Sequence, residues 1–359
     1  MKPMRRALTG AVVLGLGVAG CTAAAHIGAL QPPVLATPAH AIAPLGLISV
    51  PEPAIQLGAG IDLYTYRGQD FARSSTTEVA YLRALHANAV TVSFPFFIHG
   101  INASRIYARN STPTPAQLAV LATDAMRAGI YVVLRPLMDE TILGEPRSLW
   151  RPSHPRAWFA SYQRFLLPYA AMAQRVGITK LYVGAEFTKF SRSRYWNGLD
   201  KALRRVFKGT LLYANNGRRI YHGSGGRGVR LTFDAYPALH VPARATVRQL
   251  TRAWEAYDRS LPRRAVLSEV GIAGVLGAYG HPWKHQWSNP RMDPSVQTRW
   301  FEAACRAVAA EHMGGIYFWA IGFGKDELST RLSRKNQAAW EVGPSERAVA
   351  ACFSQISHG

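Results

Sequence analysis

The chain has 359 residues, with 42 Lys plus Arg against 21 Asp plus Glu, and a formal net charge of +21. An apolar share of 48% and a charged share of 18% exclude a disordered polar chain and allow one large domain or two medium ones. Basic chains often bind nucleic acid, but here the Arg residues are scattered and no nucleic-acid motif occurs, so no nucleic-acid partner is expected.

The N-terminus reads as a targeting segment. Met1-Lys-Pro-Met-Arg5-Arg6 is basic, and residues 7–20 are small and apolar, too short a run to span a membrane comfortably. Val18-Ala19-Gly20-Cys21 then resembles the lipobox of bacterial lipoproteins, which implies lipidation at Cys21 and a membrane partner through that anchor. An ordinary signal peptide with a chance Cys, or a short membrane anchor, is the alternative. Either way the chain is expected to be exported, as a cell-envelope lipoprotein or a secreted protein. Removing residues 1–20 takes away Lys2, Arg5 and Arg6 and leaves +18. Residues 21–55 are rich in Ala and Pro and read as a tether without a core of its own. One folded domain is expected over 56–357, most simply a monomer.

Within that domain strand-like and helix-like stretches alternate. Strands are predicted at 60–66, 89–97, 130–136, 180–187, 210–215, 230–236, 265–270 and 315–321. Helices are predicted at 76–87, with Thr77 as N-cap, and at 114–128, with Pro115 in the first turn and Gly129 beyond the end. Further helices follow at 154–175, 194–206, 247–259 and 295–312. Such alternation predicts an α/β fold with a parallel sheet, and eight units suit a (β/α)8 TIM barrel. A doubly wound sheet is the rival, but Tyr64-Thr-Tyr-Arg67-Gly68 is not its glycine fingerprint. Residues 217–229 are Gly-rich and too few for a full helix, so the unit between strands five and six is expected to be degenerate. Cys305 and Cys352 fall on two late helical segments, where a disulfide and two buried thiols are both open readings.

In a barrel the chemistry gathers at the C-terminal ends of the strands. There the chain offers Asp62, Tyr64, His99, Arg135, Asp139, Glu140, Asn215, Asn216, Asp234, Tyr236 and Trp319. Two Glu residues stand out in a chain poor in acids. Leu181-Tyr-Val-Gly-Ala-Glu186-Phe187 and Val266-Leu-Ser-Glu269-Val-Gly271 each end an apolar strand on a lone carboxylate. On strands four and seven they would face each other across the mouth, roughly 5 Å apart. One could then protonate a glycosidic oxygen while the other attacks the anomeric carbon. Two unrelated structural Glu residues are the plainer alternative. Arg135 can keep a neighbouring carboxylate ionised, Tyr236 can donate to the nucleophile, and Trp319 can offer a flat face to a sugar ring. Tyr64, Arg135, Asp139, Asn215, Asn216, Asp234, Tyr236, Trp283 and Trp319 are the candidate substrate-binding residues. Gly280-His-Pro-Trp-Lys-His-Gln-Trp287 suggests a loop over the mouth with Trp283 as a sugar platform. His281 and His285 lack a third ligand at suitable spacing, so no metal site is expected. Trp150, Trp196, Trp254, Trp300 and Trp340 read as packing residues.

Strand-four Glu with strand-seven Glu is the arrangement of clan A glycoside hydrolases. More narrowly, the chain resembles glycoside hydrolase family 113 over about residues 61–353. The likeness includes Gly129-Ile-Tyr-Val-Val-Leu-Arg-Pro-Leu-Met-Asp139, Trp158-Phe-Ala-Ser-Tyr162, Thr210-Leu-Leu-Tyr-Ala-Asn-Asn216, Asp234-Ala-Tyr-Pro237 and Gly315-Ile-Tyr-Phe-Trp-Ala320. The resemblance implies a retaining glycoside hydrolase without metal or organic cofactor, acting on a β-linked hexose polysaccharide, with mannan favoured. It implies Glu186 as acid/base and Glu269 as nucleophile. The chain departs from the pattern at Ala185, where many clan members carry Asn, and at Arg135-Pro-Leu137, where Lys-Pro-His is expected. A non-catalytic glycan-binding barrel lipoprotein of the cell envelope is the alternative function.

Overall fold

The computed structural model describes residues 48–143, 146–216, 226, 228–324 and 331–358. The expected signal segment, Cys21 and most of the expected tether lie outside the described residues.

Nine strands form. β1 (Gln56–Asp62) and β2 (Ala89–Ile98) are paired in parallel, and β3 (Ile106–Tyr107) lies antiparallel against the end of β2. β4 (Tyr131–Met138), β5 (Lys180–Ala185), β6 (Thr210–Asn216), β7 (Arg230–Asp234), β8 (Val266–Val270) and β9 (Gly315–Gly322) follow. Leaving β3 aside, the strands pair in parallel in chain order, and β9 returns to β1. The result is a closed (β/α)8 barrel. The helices are α1 (Phe71–Ala84), α2 (Pro115–Arg127), α3 (Pro155–Val176), α4 (Tyr195–Leu203), α5 (Val247–Asp258), α6 (Pro294–Ala310) and α7 (Pro344–His358).

Two cores hold the layers together. Outward-facing Val90, Val92, Leu134, Leu181 and Leu211 meet the helices in one large cluster. Inward-facing Tyr131, Val133, Leu137, Tyr182, Leu212, Ala214 and Tyr317 fill the barrel itself. Both faces of each strand are thus apolar, which is why the strands read as continuous apolar runs. α2 and α5 start on full capping boxes, Thr114 with Gln117 and Thr246 with Gln249. α3 stops at Gly177, whose φ of 93° suits glycine.

The structure corrects two boundaries. β1 begins at Gln56 rather than 60, because Gly58 and Gly60 are not breakers. A Cβ at Gly58 would stand 2.6 Å from the Ala89 carbonyl oxygen and 2.7 Å from the Tyr317 ring, and one at Gly60 would stand 2.5 Å from Trp319. Their bareness is what lets β9 place two large rings inside the barrel. α1 begins at Phe71 on Asp70, whose carboxylate accepts from the Arg73 N–H, so Thr77 lies inside the helix and is not its cap. The expected degenerate unit between the fifth and sixth barrel strands falls mainly on 217–225 and 227, outside the described residues.

Cys305 on α6 and Cys352 on α7 form a disulfide. At the bottom of the barrel, Ile48, Val50 and Ile55 pack on the core, and Glu52 Oε1 meets Lys180 Nζ at 2.5 Å. The end of the 21–55 segment therefore lies on the domain.

A Gly58→Ala variant tests the close approach. The added methyl meets a backbone carbonyl that cannot rotate away, so a loss of about 1–3 kcal/mol is expected. Chemical denaturation would show it, and an unchanged midpoint would refute the steric account.

Candidate active site

The site grows from one buried cation. Along β4, Tyr131, Val133, Arg135 and Leu137 share the inward face, because side chains alternate with period two. Arg135 is therefore inside the barrel, completely buried. Its Nη2 lies 2.8 Å from Asp234 Oδ2 and 2.6 Å from Glu269 Oε1. Asp234 and Glu269 are register partners on β7 and β8, which brings both carboxylates to the same guanidinium. The Tyr182 and Trp319 rings lie 5.4 and 5.6 Å from its Cζ. Burial works against the Arg135 charge, but Asp234 and then Glu269 more than offset it, so it stays a cation. Burial likewise pushes the Asp234 carboxyl upward while Arg135 pulls it back. The other Asp234 oxygen, Oδ1, accepts from the Ser268 hydroxyl at 2.9 Å.

Both oxygens of Glu269 are engaged. Tyr236 donates its hydroxyl to Oε2 at 2.9 Å. Burial, then the Glu269 charge, hold the Tyr236 proton firmly in place, so it remains a donor. Glu269 is thus an oriented carboxylate with a compensating cation and little freedom.

Glu186 stands in contrast. It follows β5 directly, its N–H bonding to the Ala214 carbonyl at 2.8 Å, and it takes a φ of 56°. A non-glycine residue in this region is strained, and such strain gathers at functional sites. The turn that holds it is pinned from behind. Phe187 and Phe190 are buried against Trp158 and Trp196, and a Cβ at Gly184 would stand 2.7 Å from the Trp196 ring. Burial pushes the Glu186 carboxyl well above the usual carboxylate range, Asp234 and Glu269 add to this, and Arg147 pulls it back. The side chain is 19% exposed against 9% for Glu269, so it is the more open of the two. Glu186 and Glu269 line one cleft of about 250 Å³, together with Glu140, Asn216, Tyr236 and Trp319. One carboxyl biased toward its acid form shares the cleft with one paired to a cation, an arrangement able to give a proton and supply a nucleophile.

Comparison with known proteins identifies the family. The family model for Glycoside Hydrolase Family 113 matches residues 62–342. The chain belongs to glycoside hydrolase family 113. No curated protein matches the sequence significantly. Among solved structures, a family 113 β-mannanase from Alicyclobacillus acidocaldarius, in complex with ManMIm, is 23% identical with a TM-score of 0.67. The match covers 86% of this chain and all of that one. A second family 113 β-1,4-mannanase is 18% identical with a TM-score of 0.67, over 84% of this chain and 99% of that one. An endo-β-1,4-mannanase from Thermotoga petrophila is 12% identical with a TM-score of 0.51, over 86% of this chain and 78% of that one. At these identities the structures speak for the fold, and the family match identifies the chain as a glycoside hydrolase.

In this family 113 enzyme the remaining candidates divide cleanly. Asn216, Tyr236, Trp283 and Trp319 line the cleft. Arg135, Asn215 and Asp234 are 0%, 2% and 1% exposed, too enclosed for the substrate contact expected of them. The reason is register: Arg135 and Asp234 face the barrel interior below the mouth, and Asn216 takes the cleft position rather than its neighbour Asn215. Tyr64 and Asp139 bond each other, the phenol donating to Asp139 Oδ2 at 2.8 Å, while Thr141 donates to Oδ1. They brace the β4 loop. Trp150, Trp196, Trp254, Trp300 and Trp340 are all buried in the core.

Arg147 escaped the sequence reading of the site, and His285 was named there only as part of the loop over the mouth. Arg147 bonds Glu140 Oε1 at 2.6 Å through Nε, which also lies 3.8 Å from Glu186 Oε2. It sits in a loop with no periodicity to mark it. His285 also lines the cleft, its ring 5.5 Å from that of Tyr236, and burial lowers its pKa so that it is neutral.

Replacing Arg135 by Met should strand two buried carboxylates. A loss of about 3–5 kcal/mol is expected near neutral pH. Without the cation both carboxyls titrate higher when folded than when unfolded, so they take up protons on folding. The loss should therefore shrink as pH falls and grow as pH rises. Denaturant midpoints across pH check this, and a pH-independent loss would contradict it.

Proposed function

We propose that the enzyme is a retaining endo-glycosidase acting on a β-linked hexose polysaccharide, with β-mannan the favoured substrate. The division of labour between the two Glu residues carries this reading. Glu269, fixed by Arg135 and Tyr236, is the nucleophile and attacks the anomeric carbon. Glu186, biased toward its protonated form, gives its proton to the leaving oxygen and later takes one from water. Water then releases the sugar from Glu269, so the product keeps its configuration. Retention by this route needs the two carboxyls about 5–5.5 Å apart. Trp283 and Trp319 supply flat surfaces for sugar rings, and Asn216 a polar contact. The β-mannanase activity named for the two family 113 structures supports mannan as the first substrate to try.

Glu186→Gln and Glu269→Gln should each lower kcat by at least about a hundredfold on β-mannan. Azide should rescue the truncations with opposite outcomes, an α-glycosyl azide from Glu269→Gly and a β-glycosyl azide from Glu186→Ala. Full activity in Glu269→Ala would overturn the assignment. So would an α-configured first product of the native enzyme, seen by NMR. Glycan binding without turnover across a broad panel would replace it with a binding role.

The pH profile offers a separate check. Glu186 must enter the reaction protonated, so activity falls as pH rises through its elevated pKa. Arg147 favours the charged form of Glu186. Its removal in Arg147→Ala should therefore move the basic limb of kcat/KM to higher pH. A limb that stays put or moves down would mean that another group sets it.

A further inference from the structure

Beside the catalytic cleft the two loops that form its acid/base wall open a second cavity of about 470 Å³. One wall is the connection from β4 to α3. Pro146, Arg147 and Ser148 face the cleft, and Arg151 and Pro152, a few residues on, face the second cavity. The other wall is the chain leaving β5. Glu186 faces the cleft and Thr188 the second cavity, a step of two residues and at most about 7 Å. The same two loops thus contribute to both cavities, one on either side of the Glu186 turn.

The cavity has a distinct chemistry. Arg151, Lys189 and Arg192 line it, and no Asp or Glu does. All three are exposed, and among the described residues none has an ion-pair or hydrogen-bond partner. The cations of the cleft differ in this respect, since Arg135 and Arg147 are both tied to carboxylates. Buried Pro152 and Phe190 give the cavity an apolar floor, and the Ser191 and Ser193 side chains add hydroxyls. Three unpaired cations lining one cavity sum to a local positive potential. Guanidinium groups recognise carboxylates and sulfates through paired hydrogen bonds. A neutral glycan would leave these charges unused.

We infer that this cavity is a subsite for anionic substituents, and that the enzyme prefers an acidic polysaccharide whose backbone carries carboxylate or sulfate groups. This rests on the glycosidase reading above and narrows its substrate class. The reacting bond lies over Glu186 and Glu269, and the charged groups of the flanking chain meet Arg151, Lys189 and Arg192. Those three contribute binding that is equal in ground and transition states, so they act on KM.

The test uses three probes: β-mannan, carboxymethylated β-mannan and sulfated β-mannan. Binding is measured with the Glu186→Gln/Glu269→Gln protein, and turnover with the active enzyme. The charged polymers should bind about tenfold more tightly than the parent at low salt, and the advantage should fade at high salt. The triple variant Arg151→Ala/Lys189→Ala/Arg192→Ala should lose that advantage through KM, with kcat retained. A second triple variant, Arg230→Ala/Arg263→Ala/Arg264→Ala, removes the same charge from the opposite end of the barrel and should keep the preference. Equal binding of all three probes would overturn the inference, as would equal losses in the two triple variants, since net charge alone would then explain the effect. Turnover of neutral mannan without any charged preference would refute this subsite and leave the glycosidase reading intact. The carboxymethylated and sulfated arms separate the two anion types.

Discussion

A guanidinium enclosed in the barrel is the constraint that ties fold to site. Taking Arg135 out of water costs several kcal/mol, and only well-placed carboxylates with good geometry offset that cost. Asp234 and Glu269 do so because β7 and β8 bring them side by side in register, opposite β4. The polar column continues downward, with Ser268 joining Asp234 to Thr232, and Thr232 meeting the Tyr182 hydroxyl at 3.0 Å. Four strands, β4, β5, β7 and β8, are thereby linked inside the barrel. Slipping any of them by one residue would turn its polar side chains into the apolar layer beneath the helices. The network specifies the strand register as much as it holds Glu269.

The same network explains how two Glu residues in one cleft come to have different surroundings. Glu269 has a cation on one oxygen and a phenol on the other. Glu186 has burial and two neighbouring carboxylates acting against its charge, with Arg147 at 3.8 Å and, more weakly, Arg135 in its favour. Neither the residue type nor the strand-end position distinguishes them. Their neighbours do, and those neighbours come from strands far apart in sequence.

Much of the architecture was legible because a barrel strand buried on both faces is a run of Val, Ile, Leu and aromatics that stands out from its helical surroundings. β2, β4 and β9 announce themselves most clearly in this way. The expected first strand starts four residues late, and the meaning of Gly58 and Gly60 lies in the rings of Tyr317 and Trp319 on a strand some 260 residues away in sequence. The candidate carboxyls were legible as strand-end charges in an acid-poor chain. The depth of Arg135 and the choice between Asn215 and Asn216 were also encoded, through the alternation of inward and outward side chains, but strand ends alone do not show it. Arg147 carries no such signal. It is placed by a loop, and loops answer to tertiary contacts rather than to local pattern.

The charge of the chain takes on meaning only when divided by place. Within the site, Glu140, Glu186, Asp234 and Glu269 set four carboxyls against the two guanidiniums of Arg135 and Arg147. An otherwise strongly basic protein therefore keeps an electronegative cleft. That suits the positive charge that develops on a sugar ring during glycosidic cleavage, and it repels an anionic group held at the reacting bond. The unpaired cations just beyond Glu186 resolve the conflict. An acidic chain gripped by Arg151, Lys189 and Arg192 can present an uncharged linkage to the cleft while its charged groups remain outside. On the subsite reading, separation of the two potentials between the cleft and its neighbouring cavity lets the protein attract a polyanion and cleave it, a task that neither a uniformly basic nor a uniformly acidic cleft performs.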